Sequence, residues 1–306
     1  MPPFPNIQQQ RNLFLRDQII RAIRRFFHSK GYLEVETPIR IPAPAPEAHI
    51  EPLSSEGWWL HTSPELCMKR LLASGLDRIF QICRCFRQGE RGVRHLSEFT
   101  LLEWYTAGHD YLDMMAQTEA LVRAVANRVG DGSPIRYQGR TITLSEPFRR
   151  MTVAEAFDRY APGSVKQALA EGRFDEWLAL EIEPRLPADR PLFLVDYPAA
   201  CGALARLRED EPDIAERFEL YLGGLELCNG FSELTDAKEQ RRRFEVELDA
   251  RGGGGTKKPP MPEPFLKALD AMPAAAGNAL GVDRLVMVFA DAVAVDEVVA
   301  FAPEDL

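Results

Sequence analysis

The sequence predicts an α+β domain in which helices surround a mostly antiparallel sheet. Segments with apolar residues at helical spacing are interleaved with shorter segments in which apolar residues alternate or run together, as they do in strands. Neither an internal repeat nor a clear linker divides the chain of 306 residues. We therefore expect a single domain over residues 1–306.

The first elements follow from apolar spacing and from the placement of glycine and proline. Arg11–Lys30 has apolar residues at helical spacing, and Gly31 ends this helix. Tyr32–Pro38 alternates as a strand does, and prolines make Ile39–Glu47 an extended loop.

A second helix and two strands are predicted next. Ser63 is placed to cap the helix that follows it, and Pro64 suits the first turn of that helix. Ile79–Arg87 and Glu98–Tyr105 read as an outgoing and a returning strand, which the polar turn Gln88–Ser97 joins.

The rest of the chain continues to alternate between helices and strands. Further helices are predicted at Asp110–Val129, Thr152–Leu178, Leu234–Asp249, Phe265–Met272 and Arg284–Asp291. Further strands are predicted at Pro191–Tyr197, Arg217–Leu222, Leu225–Asn229 and Asn278–Val282, with a short hairpin at Pro134–Thr143. The glycine run Gly252–Gly255, followed by Thr256–Pro262, predicts a flexible loop.

The composition excludes several classes of protein. With 45% hydrophobic and 27% charged residues, the chain is neither a disordered nor a fibrous protein. Its most apolar stretch, Leu285–Ala302, is interrupted by Asp291, Asp296 and Glu297, which excludes a membrane span. The N-terminus has prolines where a signal peptide needs a basic start and an apolar run. We therefore expect a cytoplasmic protein with no membrane partner.

The charge distribution leaves room for an anionic ligand. The formal net charge of −9 disfavours a general nucleic-acid coat. The segment Lys69–Arg94 is nevertheless basic, because Asp77 and Glu90 are the only acidic residues among its lysine and arginines. An anionic ligand or partner could bind there.

The cysteines predict reduced and mostly structural thiols. They are Cys67, Cys83, Cys85, Cys201 and Cys228. Their odd number and their spacing do not fit a disulfide framework. Cys83 and Cys85 are too close in sequence for a zinc knuckle, and they alternate with their neighbours as strand residues do.

Charged residues on the predicted strands are the candidates for chemistry, because the common nucleotide-binding and catalytic motifs are missing. Glu219 and Glu226 lie on neighbouring strands and could share a magnesium ion, which prefers oxygen ligands. Arg87 and Arg284 carry guanidinium groups that complement phosphate. The alternative is a set of interior salt bridges, which explains these residues less well together than singly.

Five ordered segments are distinctive, namely Gly31–Pro38, HTSPELCMKRLL (61–72), FRQGERGVRHLSEFTLLEWY (86–105), ELCNGFSELTDAKEQRRRFE (226–245) and GNALGVDRLVMVF (277–289). The first, third and fifth resemble motifs 1, 2 and 3 of the class II aminoacyl-tRNA synthetases. The other two are similar to the versions found in the lysine enzymes. The resemblance runs from about Arg11 to the C-terminus. It implies the class II catalytic domain, an antiparallel sheet flanked by helices.

The resemblance also implies ATP and Mg²⁺ as substrate and cofactor, a homodimer formed through motif 1, and a set of site residues. The implied ATP site comprises Arg87, Gln88, Gly89, Glu90, His95, Phe99, Glu226, Leu227, Gly281 and Arg284. The implied amino-acid site comprises Ser63, Pro64, Glu65, Tyr105, Asn229, Glu233 and Ala279. The implied catalytic residues are Arg87 and Arg284, and the implied magnesium ligands are Glu219 and Glu226.

By the same resemblance, Arg87 would bind the α-phosphate and the substrate carboxylate, with His95 near the outer phosphates. Phe99 and Arg284 would enclose adenine between an aromatic face and a guanidinium. The amino groups of a lysine-type substrate would be held by Glu65, Glu233, Tyr105 and Asn229.

Two features narrow the resemblance to the elongation factor P lysine ligases. Only about ten residues precede the first predicted helix, too few for the anticodon-binding barrel of lysyl-tRNA synthetases. Ala279 stands where synthetases for α-lysine have the middle glycine of Gly-x-Gly-x-Gly, and the ligases are similar in having alanine. One methyl group is enough to discriminate between substrates by roughly 1–3 kcal/mol. That family attaches lysine or (R)-β-lysine to a lysine side chain of elongation factor P.

Three functions remain in view. The first is this ligase, for which no tRNA binding is expected. The second is a lysine ligase that acts on tRNA, and the third is a non-catalytic paralogue that binds an amino acid or a protein as a regulator. Three positions depart from the expected pattern. Motif 2 has Gly89 where the family usually has glutamate, and it has Leu96-Ser97 where the family usually has Asn-Pro. Ser232 matches the tRNA enzymes. The choice between α-lysine and (R)-β-lysine stays open.

Overall fold

The structure is a computed structural model that describes residues 6–130, 134–251 and 258–306. Its helices are α1 (Ile7–Ser29), α2 (Glu65–Ala73), α3 (Tyr111–Val129), α4 (Val153–Tyr160), α5 (Val165–Ala170), α6 (Phe174–Trp177), α7 (Ala237–Ala250), α8 (Glu263–Leu269) and α9 (Val282–Ala290). Within these ranges, none of the helices combines the length and the apolar character that crossing a membrane requires.

The strands of the described residues form one large sheet and two small ones. They are β1 (Leu33–Glu34), β2 (Arg40–Ile41), β3 (Ser54–Ser55), β4 (Trp58–Leu60), β5 (Arg78–Phe86), β6 (Glu98–Ala107), β7 (Ile135–Tyr137), β8 (Arg140–Ile142), β9 (Arg149–Thr152), β10 (Leu192–Pro198), β11 (Ile214–Leu222), β12 (Leu225–Ser232) and β13 (Ala275–Gly281). The large sheet has eight strands in the order β1-β5-β6-β13-β12-β11-β10-β9.

The inner strands of the large sheet, from β5 to β10, pair antiparallel. The two outermost pairs, β1 with β5 and β9 with β10, are parallel. The predicted α+β fold with a mostly antiparallel sheet is therefore confirmed.

The two faces of the sheet have different coverings. Helices α1, α3 and α9 cover one face, where Leu102 and Trp104 of β6 join the main apolar core. In that core Phe27 of α1 stacks on Phe80 of β5 with ring centroids 4.7 Å apart. Helices α2, α7 and α8 pack at the opposite face, around a second apolar cluster that includes Tyr105 of β6. Because side chains alternate along a strand, β6 contributes to both layers.

Two predicted elements differ in the structure. Ser63 does not cap α2, because Pro64 adopts helical φ/ψ and occupies the cap position itself, without a side-chain hydrogen bond. The segment predicted as one helix from Thr152 to Leu178 is divided into α4, α5 and α6. The chain leaves the helical conformation after Tyr160, and Gly172 has a left-handed φ of +65°.

Other differences concern the strands, including short ones that were not predicted, such as β2, β3 and β4. The strand predicted at Tyr32–Pro38 is reduced to β1, which pairs with β5. Strand β9 was not predicted, because its four residues are half charged and too few to show alternation. The first part of the predicted glycine-rich loop, Gly252–Gly255, lies outside the described residues.

Candidate active site

A cavity of about 300 Å³ opens on the sheet face opposite α1, α3 and α9. The odd-numbered residues from Phe99 to Tyr105 of β6 line it, as the alternation of strand side chains requires, together with residues of β12 and β13. The predicted site residues in its lining are Ser63, Glu65, Arg87, Glu90, His95, Phe99, Tyr105, Glu226, Leu227, Asn229, Glu233, Ala279, Gly281 and Arg284. The fold therefore brings most of the predicted site together from distant parts of the chain.

Pro64, Gln88, Gly89 and Glu219 do not belong to the lining of this cavity. The backbone N–H of Gln88 instead donates to the backbone carbonyl of Glu51 at 2.7 Å. Gly89 has a left-handed φ of +78°, which explains a glycine at this place in the turn.

Glu90, the residue after Gly89, takes up a position beside the cavity arginine. Its carboxylate lies 3.8 Å from the Arg87 guanidinium. The glutamate that follows Gly89, the position at which the family usually has glutamate, therefore lies beside Arg87.

One end of the cavity is an acidic cluster, formed by Glu65, Glu103 and Glu233 around the buried side chain of Lys69. The Lys69 ammonium lies 2.6 Å from Glu65 Oε1 and also contacts Glu233 Oε2. Lys69 and Glu233 are each 1% exposed. Glu103 accepts a hydrogen bond from the Tyr105 hydroxyl. Within the basic segment Lys69–Arg94, Lys69 is not available to an anionic ligand, because α2 places it one turn after Glu65 and inside the protein.

The acidic cluster holds three carboxyl groups and one ammonium group, from Glu65, Glu103, Glu233 and Lys69. Burial raises the pKa of Glu233 to about 8, and the Glu65 carboxylate adds to this rise while the Lys69 ammonium opposes it. Burial, followed by the charge of Glu65, also raises the pKa of Glu103 well above its usual range. Glu233 Oε1 and Glu103 Oε2 are buried without a hydrogen-bond partner among the described residues. A ligand that brings ammonium groups would meet this deficit of donors and of positive charge.

Gly277 of β13 permits the close packing of this end, which gives a first prediction. A Cβ atom there would collide with the Tyr105 ring and lie 2.5 Å from Glu233 Oε1. At Gly281, on the same strand, the nearest atom would be Arg284 Cδ at 3.7 Å, an ordinary contact. We expect Gly277→Ala to lower the free energy of unfolding by about 1–3 kcal/mol through overpacking. The matched change Gly281→Ala should alter it by less than about 0.5 kcal/mol. Urea denaturation measures both, and equal losses in the two variants would contradict the packing argument.

The other end of the cavity is lined by cationic and aromatic side chains. The Arg87 guanidinium lies over the Phe99 ring, 5.0 Å from its centroid. Arg87 Nε is buried and has no hydrogen-bond partner among the described residues. Arg284 donates to Glu226 Oε2 at 3.0 Å and contacts His95 Nε2 at 2.5 Å. Burial and the Arg284 charge lower the pKa of His95, so its imidazole is neutral at physiological pH. The arrangement suits an anion held by two guanidinium groups.

Three carboxylates are crowded beside the cationic end. Glu219 of β11 accepts hydrogen bonds from Arg217 at 2.8 Å and from the Tyr221 hydroxyl at 2.9 Å. Burial and the neighbouring Glu226 raise the pKa of Glu219. Burial, with Glu226 and Glu219, raises the pKa of Glu183 to about 7. Carboxylate oxygens are the ligands that Mg²⁺ prefers, and a cation bound by Glu219 and Glu226 would relieve the repulsion between these carboxylates.

Three residues in or beside the site were not predicted from the sequence, although the spacing of two of them indicated their positions. Glu103 lies two residues before Tyr105 on β6, so strand alternation places both on one face. Lys69 follows Glu65 at i+4 on α2, the spacing of a helical ion pair. Glu183 had no such signal, because it lies in a short helical turn after α6.

Comparison with known proteins places this geometry in a family. The family model described as tRNA synthetases class II (D, K and N) matches residues 4–305. A lysine--tRNA ligase from Magnetococcus marinus is 37% identical over 315 residues, and one from Coxiella burnetii is 34% identical over 322 residues. A lysine--tRNA ligase from Anaeromyxobacter sp. strain K is 37% identical over 327 residues.

The matches cover nearly all of this chain but not all of its relatives. The chain is covered to 94%, 96% and 94%, whereas the three relatives are covered to 62%, 64% and 64% of their lengths. The chain thus spans less than two thirds of the curated lysine--tRNA ligases that it matches. Its large antiparallel sheet and flanking helices are those of a class II catalytic domain. The chain belongs to the class II tRNA synthetase family of the D, K and N enzymes.

Proposed function

We propose that this protein activates a lysine-type diamino acid with ATP as an aminoacyl-adenylate and transfers it to a lysine side chain of elongation factor P. The observation that carries the proposal is the division of one cavity into an acidic and a cationic end. The acidic end suits the two ammonium groups of a diamino acid, and the cationic end suits the phosphates of ATP.

The substrate amines would be held by the acidic cluster. Glu65 lines the cavity within reach of one amino group, and Glu233 offers a buried carboxylate to the ε-ammonium, with Tyr105 beside it. Asn229, which accepts a hydrogen bond from Arg217 at 3.2 Å, is oriented toward the same space. Apolar or acidic amino acids would leave these carboxylates unpaired, which disfavours their binding.

The first chemical step would be adenylate formation. A substrate carboxylate oxygen attacks the α-phosphorus of ATP, the bond to the β-phosphate oxygen breaks, and pyrophosphate leaves. Arg87 would bind both the α-phosphate and the substrate carboxylate, which holds the reacting atoms in line. Phe99 and Arg284 would position adenine. When bound at Glu219 and Glu226, Mg²⁺ would supply charge neutralisation at the phosphates.

The second step would transfer the acyl group to an amine. The unprotonated amine of the acceptor lysine attacks the acyl carbon, the acyl–phosphate bond breaks, and AMP leaves with the bonding electron pair. The amine gives up a proton as the amide forms, and the leaving phosphate or a neighbouring base can take it. Neither step needs a protein nucleophile, so positioning and electrostatics suffice.

Ala279 supports (R)-β-lysine as a substrate. Its side chain lies in the cavity lining on β13, opposite Asn229 of β12 and Glu103 of β6. The added methyl group, compared with glycine, changes the space available between the two amino groups of the ligand. Discrimination of roughly 1–3 kcal/mol follows from a difference of this size.

The alternative acceptor is tRNA, which the names of the relatives favour. A direct test supplies the protein with ATP, Mg²⁺ and either α-lysine or (R)-β-lysine, and offers purified elongation factor P or lysine tRNA. Mass spectrometry of elongation factor P and acid precipitation of tRNA report the product. Acylation of elongation factor P alone is the expected result. Acylation of tRNA alone would overturn the acceptor while leaving the adenylate step intact.

Binding of lysine is expected to release protons near neutral pH. With its pKa raised to about 8 by burial, Glu233 is largely protonated at pH 7, and a bound ammonium would lower that pKa. Because the complex then holds fewer protons, affinity should rise with pH up to about 8 and level off above it. Isothermal titration in two buffers of different ionisation enthalpy should show release of up to about one proton at pH 7 and less at pH 8.5. Proton uptake at pH 7 would contradict this role of Glu233.

A further inference from the structure

A second cluster of reactive side chains lies beside the cavity and takes no part in the proposed chemistry. Cys83 and Cys85 point to the same side of β5, and His61 follows β4 and covers them. Cys83 is paired with Leu101 and Cys85 with Phe99 of β6, two residues that line the cavity. The cluster is therefore on the same sheet face as the active site, one strand nearer the edge.

The distances within the cluster match those around one metal ion. The two sulfur atoms are 3.9 Å apart, and Cys85 Sγ is 3.9 Å from His61 Nε2. A ligand atom from each of the three residues lies within 4.8 Å of the others. Ligands of a tetrahedral zinc ion, with Zn–S bonds of ≈ 2.3 Å, are about 3.8 Å apart. Only small side-chain rotations would be needed to enclose an ion.

The imidazole of His61 is buried beside the two thiols. Its Nε2, the nitrogen that lies 3.9 Å from Cys85 Sγ, also lies 2.7 Å from the Arg84 carbonyl, to which it donates a hydrogen bond. A metal ion bound at Nε2 would replace that hydrogen bond. Nδ1 is buried and has no hydrogen-bond partner among the described residues. His61 is 1% exposed and Cys85 is fully buried.

The thiols are also chemically suited to binding a metal. Thiolate and imidazole ligands select Zn²⁺ and Cu⁺ over harder ions.

We propose that His61, Cys83 and Cys85 form a zinc site. Two thiolates and a neutral imidazole balance the charge of Zn²⁺, which suits a buried position, whereas Cu⁺ would leave a net negative charge. Cys83 is half-buried, so a water molecule could complete the coordination of the ion. The site revises the interpretation of these cysteines as merely structural. It does not depend on the proposed function.

Such an ion would join two segments that carry active-site residues. His61 lies four residues before Glu65, and Cys85 lies two residues before Arg87. A single backbone hydrogen bond, from the Phe86 amide to the His61 carbonyl at 3.0 Å, also joins these segments. Zinc would therefore fix the distance between the acidic and the cationic ends of the cavity.

Cobalt and zinc titrations of the reduced, chelator-treated protein test this site. We expect one Co²⁺ per chain with a thiolate-to-cobalt charge-transfer band, and displacement of that ion by one Zn²⁺. Cys83→Ser and His61→Asn should weaken metal binding by at least about 100-fold. Cys67→Ser, which removes a half-buried thiol of α2 outside the cluster, is the matched control and should leave binding unchanged.

Circular dichroism shows whether each variant is folded. If His61→Asn does not fold, Cys83→Ser still tests the site, because Cys83 is only half-buried. Absence of the cobalt band and of bound zinc in the folded, reduced wild-type protein would overturn the proposal. So would binding that persists in Cys83→Ser. Binding of Cu⁺ without Zn²⁺ or Co²⁺ would overturn the assignment to zinc.

Discussion

Replacing Glu233 with glutamine is expected to raise the KM for the diamino acid by about 100-fold or more. The change removes a carboxylate that is 1% exposed at the acidic end of the cavity. The ε-ammonium of a bound lysine would then be desolvated without a full counter-charge. Lys69 keeps its partner Glu65 at 2.6 Å, so the variant does not leave the buried lysine unpaired. The KM for ATP should change little, because Glu233 lies at the opposite end from Arg87 and Arg284.

The control for this variant is Glu245→Gln, which makes the same chemical change on the exposed side of α7. Steady-state pyrophosphate exchange at varied amino acid and at varied ATP separates the two KM values. A parallel loss for ATP and for the amino acid would assign Glu233 a general structural role. An unchanged KM for the diamino acid would remove it from the substrate site.

Replacing Arg87 with alanine is expected to lower kcat for adenylate formation by about 100- to 1000-fold. The Arg87 guanidinium lies over Phe99 in the cavity, and its buried Nε has no hydrogen-bond partner in the part of the chain that the structure describes. It would therefore act where negative charge is redistributed at the α-phosphate. Arg87→Lys should recover only part of the loss, because an ammonium cannot bridge a phosphate and a carboxylate as a planar guanidinium can.

Arg150→Ala is the matched control, because Arg150 is exposed on the edge strand β9. Single-turnover formation of the adenylate reports the chemical step apart from product release. If Arg87→Ala reacts as fast as the wild-type protein, the cationic end of the cavity is not the place where the phosphate reacts.

The sequence was sufficient to predict the sheet, and it selected most of the residues that line one cavity. Alternation along Glu98–Tyr105 correctly predicted β6, and the ordered motifs selected Arg87, Glu226, Glu233 and Arg284, which the structure places around one cavity. Strand alternation accounts for the cavity residues of β6, whereas Arg284 reaches the cavity from the first turn of α9.

The sequence did not predict which side chains contact each other in space, in particular which residues form ion pairs. Lys69 was counted in a basic segment because its charged neighbours in sequence are mostly basic, whereas its neighbours in space are Glu65 and Glu233. The cluster of His61 with Cys83 and Cys85 depends on how β4 approaches β5, which neither segment encodes alone. The break in the segment Thr152–Leu178 depended on backbone turns that apolar spacing does not detect.

The central claim is that the cavity forms an adenylate of a lysine-type diamino acid, and ATP–pyrophosphate exchange tests it most directly. The folded protein with Mg²⁺ should catalyse exchange that depends on the amino acid, and (R)-β-lysine should support it better than α-lysine if Ala279 sets the selectivity. Reactions without an amino acid or with leucine provide the background. Exchange at background level with both lysines would contradict the account and favour a non-catalytic binding role.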